Sequence, residues 1–599
     1  MSLKSTIHIE KETSSIICFL RNSDKINVWG TGNLFNVINE YFDFTLLSKV
    51  NCFIETSPNK TSFLDRPVID IYTFIANKRE IEILICSSYK DEIIEKLKSI
   101  NAEVLIKVYI ADELLSEIPL SRYQKGFYQF LNNDSTLLQE TINGKKIGIY
   151  IHHWKGWIAP YYCLALGILL KKKGMDVRFI FEDINDKLSI DFEKYEREIR
   201  ILLEKIKIDW GIPYDSLSEI TGESLTVQQT EEINSVIDFS MISYTRKVLD
   251  YNEKELEVYK KIKINLYTLA EKFNHYFEIN KFDTVFAITN LHYSLGCIEK
   301  ICSGKNIHTT SAELMRGGFS YSITGPAVQQ NDISIVINLL NEEEKKRLLR
   351  VSEEYLSIEI GNEFKRIIKN EYVLIPLNIF WDSAAYANND IFNNNIWEWL
   401  NKTISFILKN TNLSIVVRQH PHEEVFQTGN DLKKYLIEEF GEEERFIFIG
   451  CKENISSYNL VKFSKIVLPN TSTIGLESIC MGKTVITKSC VYYADSNFCV
   501  VSKSENDYYS NILEFSNKDI QFPDDNLKLA KLYLALSLLN RIKTKFTHHY
   551  SHMDSWLSKE SLETLEKECE YNGVFDVFLK RIPALYTQIN NNIIDNNYK

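Results

Sequence analysis

Four hydroxyl or amide side chains in a row, Asn470-Thr471-Ser472-Thr473, separate an apolar run ending at Leu468 from Ile474-Gly475-Leu476-Glu477. A strand that stops at Leu468 and a helix that starts near Ile474 would put these groups at a helix N-terminus. Backbone N–H groups are unsatisfied there and an anion is stabilised. Gly475 lets the backbone come close to a phosphate, and Glu477, in the first helical turn, can accept from ribose hydroxyls. A Ser/Thr cap alone is common. The hydroxyl run, the Gly-x-Glu and the return through Met481-Gly-Lys-Thr-Val485 into another strand are more specific together. A second cluster, Arg418-Gln419-His420-Pro421-His422, also ends an apolar strand. Arg418 and His420 can meet a phosphate or a nucleobase carbonyl, and Pro421 fixes the turn that steadies the imidazole. Two histidines without a third ligand do not make a metal site.

The elements needed to hold these clusters are strands alternating with helices, which implies parallel sheets covered on both faces. Strands are expected at Tyr372–Leu377, Leu413–Arg418, Arg445–Ile449, Ile466–Leu468 and Thr484–Thr487. Helices are expected between them at Ile396–Leu408, Asp431–Phe440, Ile455–Phe463 and Ile474–Met481. An earlier unit opens at Asn143-Gly144-Lys145-Lys146, with strands at Ile147–Ile151, Met175–Phe181, Thr284–Ile288 and from Ile307, and a mostly helical stretch over 191–281. The first unit has strands at Lys25–Gly30, Asn51–Glu55, Pro67–Tyr72, Ile81–Ser87 and Glu103–Ile110. The chain therefore reads as an α/β protein in four parts: a Rossmann-like accessory module (1–140), two doubly wound domains (141–330 and 331–545) and a helical tail (546–599). In such sheets, ligands bind beyond the carboxyl ends of the strands.

Three further places carry candidates. After the strand ending at Ile151 comes His152-His153-Trp154-Lys155-Gly156-Trp157. Either histidine can act as a base and either tryptophan can stack on a sugar, although ordinary loop packing explains the segment equally well. Glu182-Asp183 follows the next strand and reads as helix capping. In the first unit Gly30-Thr31-Gly32 ends a strand and Glu55 ends the next, as in a dinucleotide site. The third glycine of that fingerprint is replaced by Phe35, so a degenerate structural or docking module with a vestigial site is expected.

Of the 599 residues, 44% are hydrophobic and 25% charged, as in ordinary globular proteins, which excludes a disordered or fibrous chain. The longest apolar stretch, Tyr161–Leu170, is too short for a membrane span and ends at Lys171-Lys172-Lys173. That triplet is either a basic patch toward a membrane or, preferably, a solvated helix end. A net charge of −12 argues against general nucleic-acid binding. The 11 scattered cysteines read as reduced thiols of a cytoplasmic protein.

His420-Pro421 and Ser472-Thr473, with Gly475-Leu-Glu477, Gly482-Lys483-Thr484-Val485, Val491-Tyr492-Tyr493 and the upstream Val373–Asn378 and Asp382, resemble the nucleotide-sugar half of GT-B glycosyltransferases. More narrowly they are similar to capsule polysaccharide biosynthesis proteins and bacterial Kdo- and sialyl-transferases, over roughly residues 145–545. The resemblance implies a GT-B-like pair of domains and an inverting, metal-independent transfer, with no cofactor beyond a CMP- or UDP-linked sugar donor. The acceptor is then a growing surface glycan or lipid-linked chain, reached at the inner face of the cytoplasmic membrane. It assigns the nucleotide to His420-Pro421 and its phosphate to Ser472-Thr473, with Arg418, Asn470, Thr471, Gly475 and Glu477, read from their positions, assisting. It assigns the base to Glu313 or His153, and acceptor contacts to His152, Trp154 and Arg316. Glu313 departs from the family's acid-acid-Gly pattern: Ala312 precedes it and the glycines come only at Gly317-Gly318, which also suit a plain turn. A nucleotide-sugar 2-epimerase of the same architecture and a noncatalytic nucleotide-binding assembly protein are the rival readings.

Overall fold

The structure is a computed structural model. It describes residues 6–30, 35, 39, 45–56, 58, 61–76, 78–86, 90–100, 104–111, 127, 130–131, 144–152, 159–184, 192–288, 291–315, 318–360, 366–382, 385–386, 390–423, 432–518, 521–540, 542–543 and 561–591. Among the described residues there are three sheets, of seven, seven and six strands, and only the closing strand of the middle one, Ile542–Lys543, comes after the third in sequence.

The last sheet is wholly parallel. Its spatial order is Phe446–Ile449, Ser414–Arg418, Tyr372–Pro376, Ile466–Val467, Thr484–Thr487, Val500–Val501. Numbered along the chain this is 3-2-1-4-5-6, the doubly wound order whose reversal opens a crevice between strands 1 and 4. Every residue of Tyr372–Pro376 and Ser414–Arg418 is buried, which is why both strands read as unbroken apolar runs. Helix Ile396–Asn410 covers one face with residues 396, 399, 400, 403, 404 and 407, an i, i+3, i+4 stripe, and starts where the Asn395 side chain accepts from the Glu398 N–H.

The middle sheet repeats the plan. Tyr214–Ser216, Asp176–Phe181, Lys146–Ile151, Thr284–Ile288 and His308–Met315 are parallel in the order 3-2-1-4-5, and Gly318–Ser322 and Ile542–Lys543 add antiparallel edges. In the first sheet Ile26–Trp29 lies between Val50–Glu55 and Glu80–Ile85, with Arg66–Asp70 and Leu105–Ile110 outside them, again in doubly wound order. The fold is thus the expected α/β class: a Rossmann-like sheet, then a GT-B-like succession of two doubly wound sheets, then helices.

Several expectations change in detail. Strand Thr6–Glu10 and helix Thr13–Asn22 precede the first expected strand. The strand at Arg66 stops at Asp70, because the Asp70 carboxylate caps a helix over Ile71–Ile75 by accepting from Tyr72 and Thr73 N–H groups. Strand His308–Met315 continues past Ala312, so Glu313 is a half-buried strand residue paired with Ser320, not a loop residue after the strand. Two of the three lysines after Tyr161–Leu170 are drawn into ion pairs and are not a solvated helix end. Lys172 and Lys173 pair with Glu566 at 2.8 and 2.9 Å, and Lys173 also meets Glu570, on helix Leu562–Tyr571. That helix and Val574–Leu579 bury the outer face of helix Ala159–Lys172, which explains why the latter is apolar all round. No helix of the described residues is long and apolar enough to cross a membrane.

Candidate functional site

The crevice of the last sheet opens where Tyr372–Pro376 and Ile466–Val467 end side by side. The Asn378 side chain bridges the two exits: its Nδ2 donates to Thr471 Oγ1 at 3.1 Å, and its Oδ1 accepts from the Thr471 N–H at 3.3 Å. A groove of about 300 Å³ lies above this bridge. Asn378, Asp382, His420, Thr471, Ser472 and Thr473 line one side. Ile379 and Tyr386, Val328, Gln329 and Gln330 at the end of the middle unit, and Cys490–Tyr492 past the fifth strand supply the rest.

His420 is positioned by its turn. The Glu423 N–H donates to the His420 carbonyl at 3.0 Å, closing a β-turn with Pro421 at the second position, where its fixed φ belongs. The His422 N–H donates to His420 Nδ1 at 3.2 Å. In the neutral ring the proton is therefore on Nε2, and the imidazole is a donor. Burial, followed by the neighbouring His422 and Arg418, lowers its pKa and favours that neutral form, with Asp382 acting the other way. Thr473 caps helix Ile474–Cys480 by position only; its side chain makes no capping bond. Three successive hydroxyls, one imidazole donor and a side-chain amide can thus surround a phosphate or a ribose.

Other expected contacts fall elsewhere. Arg418 is buried with its guanidinium turned to backbone: Nη1 donates to the Gly450 carbonyl, and Nη2 to Ile455 at 3.1 Å and Glu453 at 3.4 Å. It staples the loop after the third strand and does not line the groove. Asn470 is buried and donates to the Ala385 carbonyl at 2.9 Å, holding the segment that carries Tyr386. Glu477 is buried and accepts from the Tyr355 hydroxyl at 2.9 Å on helix Glu342–Ile360, and it does not line the groove. Gly475 makes room for a side chain, not a phosphate: a Cβ there would lie 2.3 Å from Tyr493 Oη. Tyr493 in turn donates to the Ser472 carbonyl at 2.7 Å. Sequence reasoning missed Gln329, Gln330 and Tyr386, which reach the groove from segments without a motif, and Cys490, which immediately precedes Val491-Tyr492-Tyr493.

The middle sheet has its own cluster at the corresponding edge. Glu182, 2% exposed, follows the second strand. Its Oε2 accepts from Ser294 Oγ at 2.7 Å and from the Tyr150 hydroxyl, and lies 2.5 Å from His152 Nδ1. The expected capping role holds for Asp183, which accepts from the Ser218 N–H at 2.7 Å, and fails for Glu182. His292 stands next to this group as cap residue of helix Tyr293–Gly304, with its Nδ1 buried and unpartnered. Burial, with His152 adding to it, pushes the His292 pKa down to about 4. The unfolded chain then binds a proton that the folded chain does not between about 6.5 and 4. Stability should fall as pH drops through that window, by up to roughly 1.4 kcal/mol per pH unit. Denaturant titrations of the wild type and His292→Phe from pH 7 to 4 check this, and the variant should lose much of the slope.

His153, Trp154, Arg316 and Gly32 lie outside the described residues. Gly30, at φ 114°, directly follows the first unit's central strand, Ile26–Trp29, and Glu55 ends its neighbour, so the two stand at adjacent strand ends beside that sheet's own crevice. Among the described residues no three His, Cys, Asp or Glu side chains gather as a metal site.

These geometries define an α/β protein with a polar groove at the switch point of its last sheet. Residues 336–496, which hold most of that groove, match the family model of capsule polysaccharide biosynthesis proteins. Solved structures similar to the chain include KpsC, the β-Kdo 2,4 transferase of Thermosulfurimonas dismutans, at 15% identity and a TM-score of 0.27, over 42% of this chain and 79% of that one. They also include the UDP-GlcNAc 2-epimerase of Neisseria meningitidis bound to UDP-GlcNAc, at 12% identity and a TM-score of 0.21, over 71% and 100%. A third is the UDP-GlcNAc 2-epimerase of Methanocaldococcus jannaschii with UDP-GlcNAc and UDP, at 12% identity and 0.21, over 64% and 97%. No curated protein matches the sequence.

Proposed function

We propose that the chain is a glycosyltransferase of capsule-type polysaccharide synthesis, moving a sugar from a CMP- or UDP-linked donor to a growing glycan. One observation carries the reading. His420 and Thr471–Thr473, from a segment that matches the capsule family, converge on one groove at the switch point, facing Gln329 and Gln330 from the preceding unit. In this reading the hydroxyls and the Nε2–H of His420 hold the leaving phosphate, and such preorganised donors lower the barrier to its departure. The glycan acceptor enters from the middle unit, and the reaction takes place in the cytoplasm beside the membrane.

Cys490, an exposed thiol on the groove wall, offers a direct check. Bound CMP or UDP should slow its alkylation by iodoacetamide severalfold, read by peptide mass spectrometry, while alkylation of exposed Cys18 in the first unit is unchanged. Incubating candidate nucleotide sugars with and without glycan acceptor then tests the reaction. Nucleotide release that rises with acceptor supports transfer. Interconversion of the donor sugar without acceptor would assign the 2-epimerase reading instead.

A further inference from the structure

The middle sheet has a switch-point crevice of its own, between Lys146–Ile151 and Thr284–Ile288, where ligands of such sheets bind. The side chains at its edge are those of a proton-transfer site. Glu182 receives Tyr150, His152 and Ser294 on one carboxylate oxygen. This fixes the ring of His152 from the Nδ1 side, so in the neutral imidazole Nδ1–H faces the carboxylate and Nε2 carries the lone pair. Glu182 is 3% exposed in its side chain and His152 16%, so the carboxylate is sealed behind a histidine that still reaches the surface. Buried Phe239 packs against both the crevice and the nucleotide groove. His292 lies 6.1 Å from the ring of Phe239, and Phe239 lies 4.5 Å from Tyr386, which lines the groove.

Resting on the donor reading above, we propose that His152 is the general base of the transfer and that Glu182 is its positioning residue, in place of Glu313. The acceptor's O–H proton passes to His152 Nε2. The acceptor oxygen forms its bond to the anomeric carbon as the bond from that carbon to the nucleotide phosphate oxygen breaks. The electron pair leaves with the phosphate into the groove of His420 and Thr471–Thr473. Glu182 stabilises the imidazolium formed on His152, as a buried carboxylate behind a histidine does in other proton-transfer sites. Glu182 and Tyr150 from the sheet, and His292 and Cys297 from helix Tyr293–Gly304 and its cap, are the titratable groups that face the pair.

The test uses the full chain, with nucleotide released from a CMP- or UDP-sugar by water or by a glycan acceptor as the activity, and calorimetric affinity for CMP and UDP as a separate readout. His152→Ala should lower kcat at least 100-fold with nucleotide affinity within twofold of wild type, because it removes the base and leaves the groove intact. Glu182→Gln removes the charge behind the imidazole. It should lower kcat less than His152→Ala and move the acidic limb of the kcat/KM pH profile to lower pH, a change that a purely structural role would not produce. His152→Gln, which keeps a polar side chain facing Glu182, controls for folding and should be as inactive as His152→Ala. Wild-type kcat in His152→Ala, or an unmoved acidic limb in Glu182→Gln, overturns this assignment while the donor reading stands. Wild-type protein that binds neither nucleotide overturns both.

Discussion

Lys488→Met should destabilise the protein by about 3–5 kcal/mol, the cost of leaving one member of a buried ion pair alone. Lys488 follows strand Thr484–Thr487 and pairs with Asp390, and the two side chains are 1% and 0% exposed. The pair also fixes backbone. The Ile391 N–H donates to the Lys488 carbonyl at 3.0 Å, and the Phe392 N–H to Asp390 Oδ1 at 2.8 Å, tying the segment before helix Ile396–Asn410 to the fifth strand. Lys488 Nζ also sits 5.0 Å over the ring of Trp399. Burial lowers the Lys488 pKa and Asp390 opposes that shift, as expected of an ammonium kept charged by one partner. Without the lysine, the Asp390 carboxylate is buried with no compensating charge. Urea unfolding of Lys488→Met, Asp390→Leu and the double variant separates the contributions. Each single variant should be strongly destabilised and the double much less so, since apolar replacement of both partners is often neutral. Cys490, two residues on, lines the groove, so the single variant should also weaken nucleotide binding.

The second large effect is expected at Gly475. An added Cβ would lie 2.3 Å from Tyr493 Oη, 2.9 Å from its Cζ and 2.8 Å from Pro469 Cγ. Tyr493 is fully buried and cannot move aside without disturbing its neighbours. Overpacking of this kind costs about 1–3 kcal/mol. Its functional cost comes through the 2.7 Å bond from Tyr493 Oη to the Ser472 carbonyl, which sets the backbone carrying the groove hydroxyls. Gly475→Ala should therefore lower nucleotide affinity about tenfold, or about 1.4 kcal/mol, besides lowering the melting temperature. Tyr493→Phe in the Gly475→Ala background relieves the closest clash but not the lost bond. It should recover part of the stability and little of the affinity.

The last sheet was legible in the sequence because its strands are buried on both faces and its helices are amphipathic. Tyr372–Pro376 and Ser414–Arg418 carry the first signal, and Ile396–Asn410 the second. The groove residues His420 and Thr471–Thr473 were legible for a related reason: strand ends mark the ligand edge of such a sheet. Chemistry by residue type failed where a side chain had a closer partner. Arg418 found backbone carbonyls, Glu477 found Tyr355, and Gly475 answered to a tyrosine 18 positions later. Lys172 and Lys173 read as a solvated helix end because Glu566 and Glu570 are almost 400 residues away in sequence. Glu182 read as a helix cap because its three partners, at 150, 152 and 294, come together only when the first, second and fourth strands of the middle sheet line up.

The central claim is that the groove above the Asn378–Thr471 bridge holds the nucleotide of an activated sugar. Calorimetric titration of the full chain with CMP, CDP, UMP and UDP, repeated on Ser472→Ala/Thr473→Val and on His420→Ala, tests it most directly. The account predicts saturable 1:1 binding of a pyrimidine nucleotide by the wild type, weakened ten- to a hundredfold in each variant, or about 1.4–2.8 kcal/mol. Binding that is absent from the wild type, or unchanged in both variants, would contradict it.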